Sequence, residues 1–250
     1  MKILLIETAT QICSVALGET PSPCGDSPLE GGEPKILARR DSDTPNAHST
    51  RLSVFIDEVL KECSLTPRDL DAVCVSAGPG SYTGLRIGVS TAKGFCYALG
   101  IPLVSVPTLL SMAALYYQQH PEYKGLVCPM IDARRMECYT MIVKGERLKV
   151  KGEMEILRDT SADVIEARCF DEWLDKSEVM FIGDGAEKTR EILGVHPNAR
   201  YDSEFCLSAE GMLEIAEAKL KGGKTEDVAY FEPFYLKDFV AKKSVVHGLR

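Results

Sequence analysis

Short apolar runs alternate along this chain with stretches in which apolar positions recur every three or four residues. Ile3-Leu4-Leu5-Ile6 and Cys13-Ser14-Val15-Ala16-Leu17 flank the polar turn Thr8-Ala9-Thr10-Gln11, which predicts paired strands at 2–7 and 12–17. Residues 18–35 are rich in Pro, Gly, Ser and acid, and predict a long surface loop before a third strand, Ile36-Leu37-Ala38-Arg39. Leu52, Phe55, Ile56, Val59, Leu60 and Cys63 share one face of a helix over 49–63. A buried strand at 72–76 is broken by Gly78-Pro79-Gly80. Ser81 then caps a helix over 82–99 whose inner stripe is Leu85, Val89, Ala92, Cys96 and Leu99. A strand at 102–106 and a helix at 107–119, with Pro107 in its first turn, complete the first half.

After a break at 120–125, the pattern predicts strands near 126–131, 138–143 and 153–157, and a helix near 161–174 that starts after Asp159-Thr160. A strand at 178–183 leads through Gly183-Asp184-Gly185 into a helix at 186–193. A last helix spans 208–221, from the Ser208 cap to the Gly222-Gly223 stop. The reading is mixed α/β, in two lobes divided at 1–106 and 107–250. No repeat between the halves is visible in the sequence.

Composition narrows the function. The 250 residues suffice for one large or two modest cores, with 45% hydrophobic and 26% charged residues. No apolar stretch reaches membrane-spanning length, and the strand-like start reads as a cytoplasmic protein. None of the nine cysteines forms a Cys-x-x-Cys pair, so they read as buried small hydrophobes in a reducing compartment. A net charge of −8 disfavours tight binding of a long nucleic acid by the chain alone. Arg39-Arg40 and Lys242-Lys243 are local basic pairs and read as solvated surface.

The candidate chemistry is sparse. A strand, a glycine turn and a helix start, as at 72–82, can hold an anion, but many tight turns of this form hold nothing. Glu7 stands at a strand end beside the hydroxyls of Thr8 and Thr10. Together with Gly78, Gly80 and Ser81 it outlines a remnant phosphate or nucleotide site; capping of a polar turn is the plainer reading. The first hairpin lacks the glycines that let backbone approach phosphates. Histidines 48, 120, 196 and 247 are scattered, so no metal site is expected. Gly80-Ser81-Tyr82-Thr83-Gly84 has the wrong spacing for a nucleophile elbow. Asp132, Arg134 and Glu137 follow a strand and form a candidate inter-lobe cleft. Their charges either bind a ligand or lock the lobes by salt bridges, and the second reading is favoured.

The run Gly78-Pro79-Gly80-Ser81-Tyr82-Thr83-Gly84-Leu85-Arg86-Ile87-Gly88 resembles the signature of the TsaB (YeaZ) family. Ile3–Thr10, His48–Leu52, Ile131-Asp132-Ala133-Arg134-Arg135-Met136-Glu137-Cys138-Tyr139 and Pro233-Phe234-Tyr235-Leu236-Lys237 resemble further blocks of that family, in the same order. The resemblance implies two ribonuclease H-like lobes of the actin/Hsp70/sugar-kinase (ASKHA) type. It also implies an accessory subunit, without catalysis of its own, in making N6-threonylcarbamoyladenosine (t6A) at position 37 of tRNA. The implied partners are a TsaD-type catalytic subunit, a TsaE-type ATPase reached through the complex, tRNA only within the complex, and a second copy of the chain in isolation. No cofactor is implied beyond weak or partner-dependent nucleotide binding. The region matching the sister family's His-x-x-x-His helix holds no histidine here. The family pairs through its first two helices, which correspond here to 49–63 and 82–99. Arg51, Phe55, Gly84, Ile87 and Thr91 are the expected contacts, with Gly84 and Ile87 taken to lie off the core stripe. The alternatives are a stand-alone peptidase or ATPase of the same fold, and an independent tRNA-binding module.

Overall fold

The structure is a computed structural model that describes residues 1–21, 33–44, 47–145 and 154–237. The centre of the predicted 18–35 loop and the Lys242-Lys243 pair lie outside the described residues. In the first half, β1 (Lys2–Glu7), β2 (Cys13–Glu19) and β3 (Lys35–Ser42) precede the short α1 (Ala47–Thr50) and α2 (Leu52–Glu62). They are followed by β4 (Ala72–Gly78), α3 (Tyr82–Leu99) and β5 (Leu103–Pro107). The strands form one sheet in the order β3-β2-β1-β4-β5. β1 pairs antiparallel with β2 and parallel with β4.

β1 is apolar at nearly every position because both faces of its sheet are covered. Leu4 and Ile6 join the core under α2 and α3. Ile3 and Leu5 point to the other face, against Ala209, Met212, Leu213 and Ala216. Helix α3 begins with the Ser81 side chain accepting the Gly84 N–H and ends at left-handed Gly100. Its predicted stripe is buried at Leu85, Val89, Ala92 and Cys96, as expected of an amphipathic helix.

Helix α4 (Thr108–Gln119) opens the second half. It leads into β6 (Leu126–Asp132), β7 (Glu137–Gly145), β8 (Met154–Val164), α5 (Asp171–Leu174), β9 (Val179–Ile182), α6 (Arg190–Leu193), β10 (Ala199–Asp202) and α7 (Leu213–Lys221). The second sheet runs β10-β9-β6-β7-β8. β6 is antiparallel to β7 and parallel to β9, so this sheet repeats the first strand for strand. The repeat invisible in the sequence is plain in the topology. Leu109, Met112 and Tyr116 of α4 pack on the second sheet, while Ala114 packs on the first. A helix buried on several sides shows little amphipathy, and α4 is built accordingly from Ala, Ser, Leu and Met. The 209–216 segment returns to the first sheet.

The predicted helix over 161–174 is corrected. Strand β8 continues to Val164 through register with β7, pairing Asp163 with Cys138 and Ser161 with Thr140. Asp163 accepts hydrogen bonds from Thr140, Arg158 and Ser161, which fixes this end of the strand. Only Asp171–Leu174 is helical. β10 was not predicted, and the helix expected over 186–193 is a 3₁₀ turn at Glu187–Thr189 followed by α6.

Candidate functional site: a cleft between the two sheets

Glu7 ends β1 fully buried, and one carboxylate oxygen accepts the Ala9 N–H at 2.6 Å. Burial pushes its pKa from an ordinary 4.5 up to about 7, against the pull of the Ala9 N–H bond. That bond folds the turn at Thr8–Gln11 back onto the start of α3. The Ser81 N–H donates to the Ala9 carbonyl at 2.6 Å. A side chain at Gly80 would strike Ala9, one at Gly84 the Thr8 carbonyl oxygen, and one at Gly88 the Thr8 hydroxyl. The four-residue glycine spacing of the signature therefore seats this chain's own turn. Gly78 has φ +103°, and the carbonyl of Phe234 lies where its side chain would be.

The four residues Ala133–Met136 link β6, which ends at Asp132, to β7. Arg134 and Arg135 both adopt left-handed backbone, with φ of 70° and 52°. Asp132 accepts the Arg134 N–H at 2.8 Å. The Lys188 ammonium lies under the turn and donates to Asp132, to the Arg135 carbonyl at 2.8 Å and to the Glu137 carbonyl at 2.6 Å. Partial burial works to raise the Asp132 pKa, but Lys188 and the Arg134 N–H hold it below the ordinary value. Asp184 accepts the Asp132 N–H at 3.0 Å, and its own burial raises its pKa.

Between the turn at 8–11 and the turn at 132–136 lies a cleft of about 750 Å³. Thr10, Ser81 and Tyr82 line it from the first sheet, and Asp132, Arg134 and Asp184 from the second. A C-terminal strap crosses its mouth. The Phe234 N–H bonds the Ala77 carbonyl at 2.7 Å, the Tyr235 ring sits 4.8 Å from the Tyr82 ring, and Lys237 pairs with Glu137.

The expected site residues are thus partly gathered. Thr10, Gly80, Ser81, Asp132 and Arg134 line one cleft, and Glu137 stands at its edge through Lys237. The expected partner contacts divide. Arg51 is exposed, Ile87 is half-buried on the first core, and Thr91 donates its hydroxyl to the Ile87 carbonyl at 2.8 Å. Phe55 is buried in the core, and Gly84 is buried against Thr8; both are corrected from surface contacts to internal packing positions. The reason for Gly84 is the close approach of the turn, which the helix's own periodicity does not reveal. His48 sits in α1 with its Nε2 3.1 Å from the Ile12 carbonyl, which ties that helix to the turn. Arg39 and Arg40 are paired with Asp41, Glu210, Glu58 and Glu62. Lys188 and the Tyr82–Tyr235 ring contact carried no sequence signal.

The family model described as TsaD: tRNA N6-adenosine threonylcarbamoyltransferase matches residues 42–244. The tRNA threonylcarbamoyladenosine biosynthesis protein TsaB of Escherichia coli is 28% identical over 98% of this chain and 98% of its own length. The chain belongs to the TsaB/YeaZ family, within the wider TsaD-type family. The Bacillus subtilis TsaB is 34% identical over 56% of this chain and 54% of its own length. The solved structure of YeaZ from Pseudomonas aeruginosa matches this fold with a TM-score of 0.76. It is 26% identical and covers 94% of this chain and 99% of its own. The α/β architecture with two mixed five-stranded sheets is that of the ASKHA-like YeaZ structures. Among the described residues, no helix is long and apolar enough to cross a membrane.

Proposed function

We propose that this chain is an accessory, non-catalytic subunit in making t6A in tRNA, and that it works by binding a TsaD-type catalytic subunit. The observation that carries the reading is the seating of Thr8 and Ala9 on Gly80, Gly84 and Gly88. In an ATP-using relative of this fold, phosphates need free N–H groups and open space between hairpin and helix. Here the Ala9 carbonyl takes the Ser81 N–H, the Ser81 hydroxyl takes the Gly84 N–H, and the turn fills the space. These residues do not fit a phosphate at that point. The biosynthetic role of the TsaB relatives supports the pathway, and the TsaD-type family match supports the partner.

The two lobes, 1–106 and 107–250, have separate tasks in this proposal. The first presents α2 and α3 to the partner. The second stiffens it, because the 209–216 segment packs behind β1. One side of α3 is held by the strap, with the Lys93 ammonium on the carbonyls of Ala229 and Phe231. The side left to the partner carries Thr83, Ile87, Ser90, Gly94 and Tyr97, of which only Ile87 is half-buried. Their spacing of four, three, four and three is that of a helix–helix seam. The same face serves a second copy when the partner is absent. A TsaE-type ATPase and tRNA join through the catalytic subunit, in keeping with a net charge of −8.

The test is reconstitution. Cognate TsaD-type and TsaE-type proteins, with the small-molecule substrates and unmodified tRNA, are expected to form t6A only when this chain is added. The chain alone is expected to hydrolyse neither ATP nor peptide. Full t6A formation without it, or ATP turnover by the isolated chain that is lost in Glu7→Gln, contradicts the proposal.

A further inference from the structure

Among the described residues, the fold leaves one basic side chain of the cleft free. Lys188 is occupied by Asp132 and two carbonyls, and Lys237 by Glu137. Arg134 lines the cleft, is exposed, and among the described residues its guanidinium makes no ion pair or side-chain hydrogen bond. The charge of Asp132 lies near it, but that carboxylate is already taken by Lys188 and by the Arg134 N–H. The backbone beneath Arg134 is costly, since two successive non-glycine residues are left-handed. Three contacts from the Lys188 ammonium hold that conformation in place. Across the cleft lie Ser81 and Thr83, and the Tyr82 ring, tilted at 39° against Tyr235, forms part of the wall.

We propose that Arg134 is the anchor of a binding site for a small oxyanion, a carboxylate or a phosphate monoanion or dianion, in the inter-lobe cleft, with Lys188 as the positioning residue for its turn. A planar guanidinium offers two parallel N–H donors to such a group. The Ser81 hydroxyl supplies a donor from the opposite wall. Asp43, exposed on the first-lobe side of the lining, sets the upper limit on charge, because it repels a polyphosphate. This site differs from the glycine face of α3, which the turn at 8–11 fills. It stands whether or not the chain binds a TsaD-type partner.

The experiment is a titration of the ¹⁵N-labelled full chain with inorganic phosphate and, separately, with sodium malonate at constant ionic strength. Backbone signals of Ser81–Thr83 and Asp132–Arg135 are expected to shift together and to saturate with at least one probe. Saturation by malonate alone assigns a carboxylate ligand, by phosphate alone a phosphate, and by both a general oxyanion site. Arg134→Ala is expected to weaken binding at least tenfold, as is Lys188→Met, although the latter keeps Arg134. Lys188→Arg restores most of the affinity, and Lys176→Ala, an exposed residue outside the cleft lining, changes nothing. If Lys188→Met does not fold, the comparison of wild type with Arg134→Ala decides alone. Absence of saturable shifts with both probes, shifts confined to other residues, or unchanged affinity in Arg134→Ala overturns the proposal.

Discussion

Two glycines on one helix make opposite predictions. Gly84 is buried with the Thr8 carbonyl oxygen in the place of a Cβ, whereas Gly94 has nothing within 4 Å. A backbone oxygen cannot rotate away as a side chain can. Gly84→Ala is therefore expected to destabilise the chain by about 1–3 kcal/mol. Gly94→Ala is expected to stabilise it by up to about 1 kcal/mol through helix propensity. Urea denaturation of the two variants measures both, and equal effects would contradict the packing described for the turn. Glu7 makes a further residue-scale prediction. Its folded pKa, about 7, lies above its ordinary 4.5, so the folded chain holds a proton that the unfolded chain releases between those values. Its contribution to stability is thus complete below pH 4.5 and is lost as pH rises through about 7. The size is on the order of 3 kcal/mol, from a difference of about 2.5 in pKa. Glu7→Gln keeps an oxygen for the Ala9 N–H and removes the titration. Melting curves from pH 4.5 to 8 should fall more steeply for wild type than for this variant; parallel falls would assign the titration to another group.

Elements were legible where one face of one segment decided the outcome. The stripes of α2 and α3 were plain because each helix turns one face to a core, and the continuous apolar runs of β1 and β4 were plain because those strands are covered on both faces. β8 was misread because Asp159-Thr160 resembles a helix start, and local capping chemistry does not register a neighbouring strand edge. The deciding partner is β7, distant in sequence, together with the Asp163 network. Asp163→Ala removes a partly buried carboxylate that faces Arg158 at 2.7 Å. It is expected to cost about 1.5–3 kcal/mol. Hydrogen exchange should show the loss concentrated in β7 and β8, whereas a uniform loss across both sheets would contradict the local network. The cleft was half legible for a similar reason. The charges of Asp132, Arg134 and Glu137 are visible in the sequence. Lys188 is 56 residues from Asp132 and has no motif, so only the fold brings it beneath the turn.

For the whole molecule, two sheets of one topology are joined through α4 and the returning 209–216 segment, and the strap ties α3 to the second sheet. An assembly subunit benefits from this arrangement, because a stiff helix face loses less freedom on docking. The central claim is that the α2–α3 face binds a TsaD-type subunit. The most direct measurement is calorimetric titration of the cognate TsaD-type protein with the wild-type chain, with Ile87→Asp and with Ser90→Arg, each shown by circular dichroism to be folded. Ile87→Asp places an unpaired charge in the contact, and Ser90→Arg places bulk on an exposed position of the same seam. The account predicts saturable binding by wild type, weakened roughly a hundredfold or more in each variant. Wild-type affinity in both folded variants, or no binding by wild type, would contradict it.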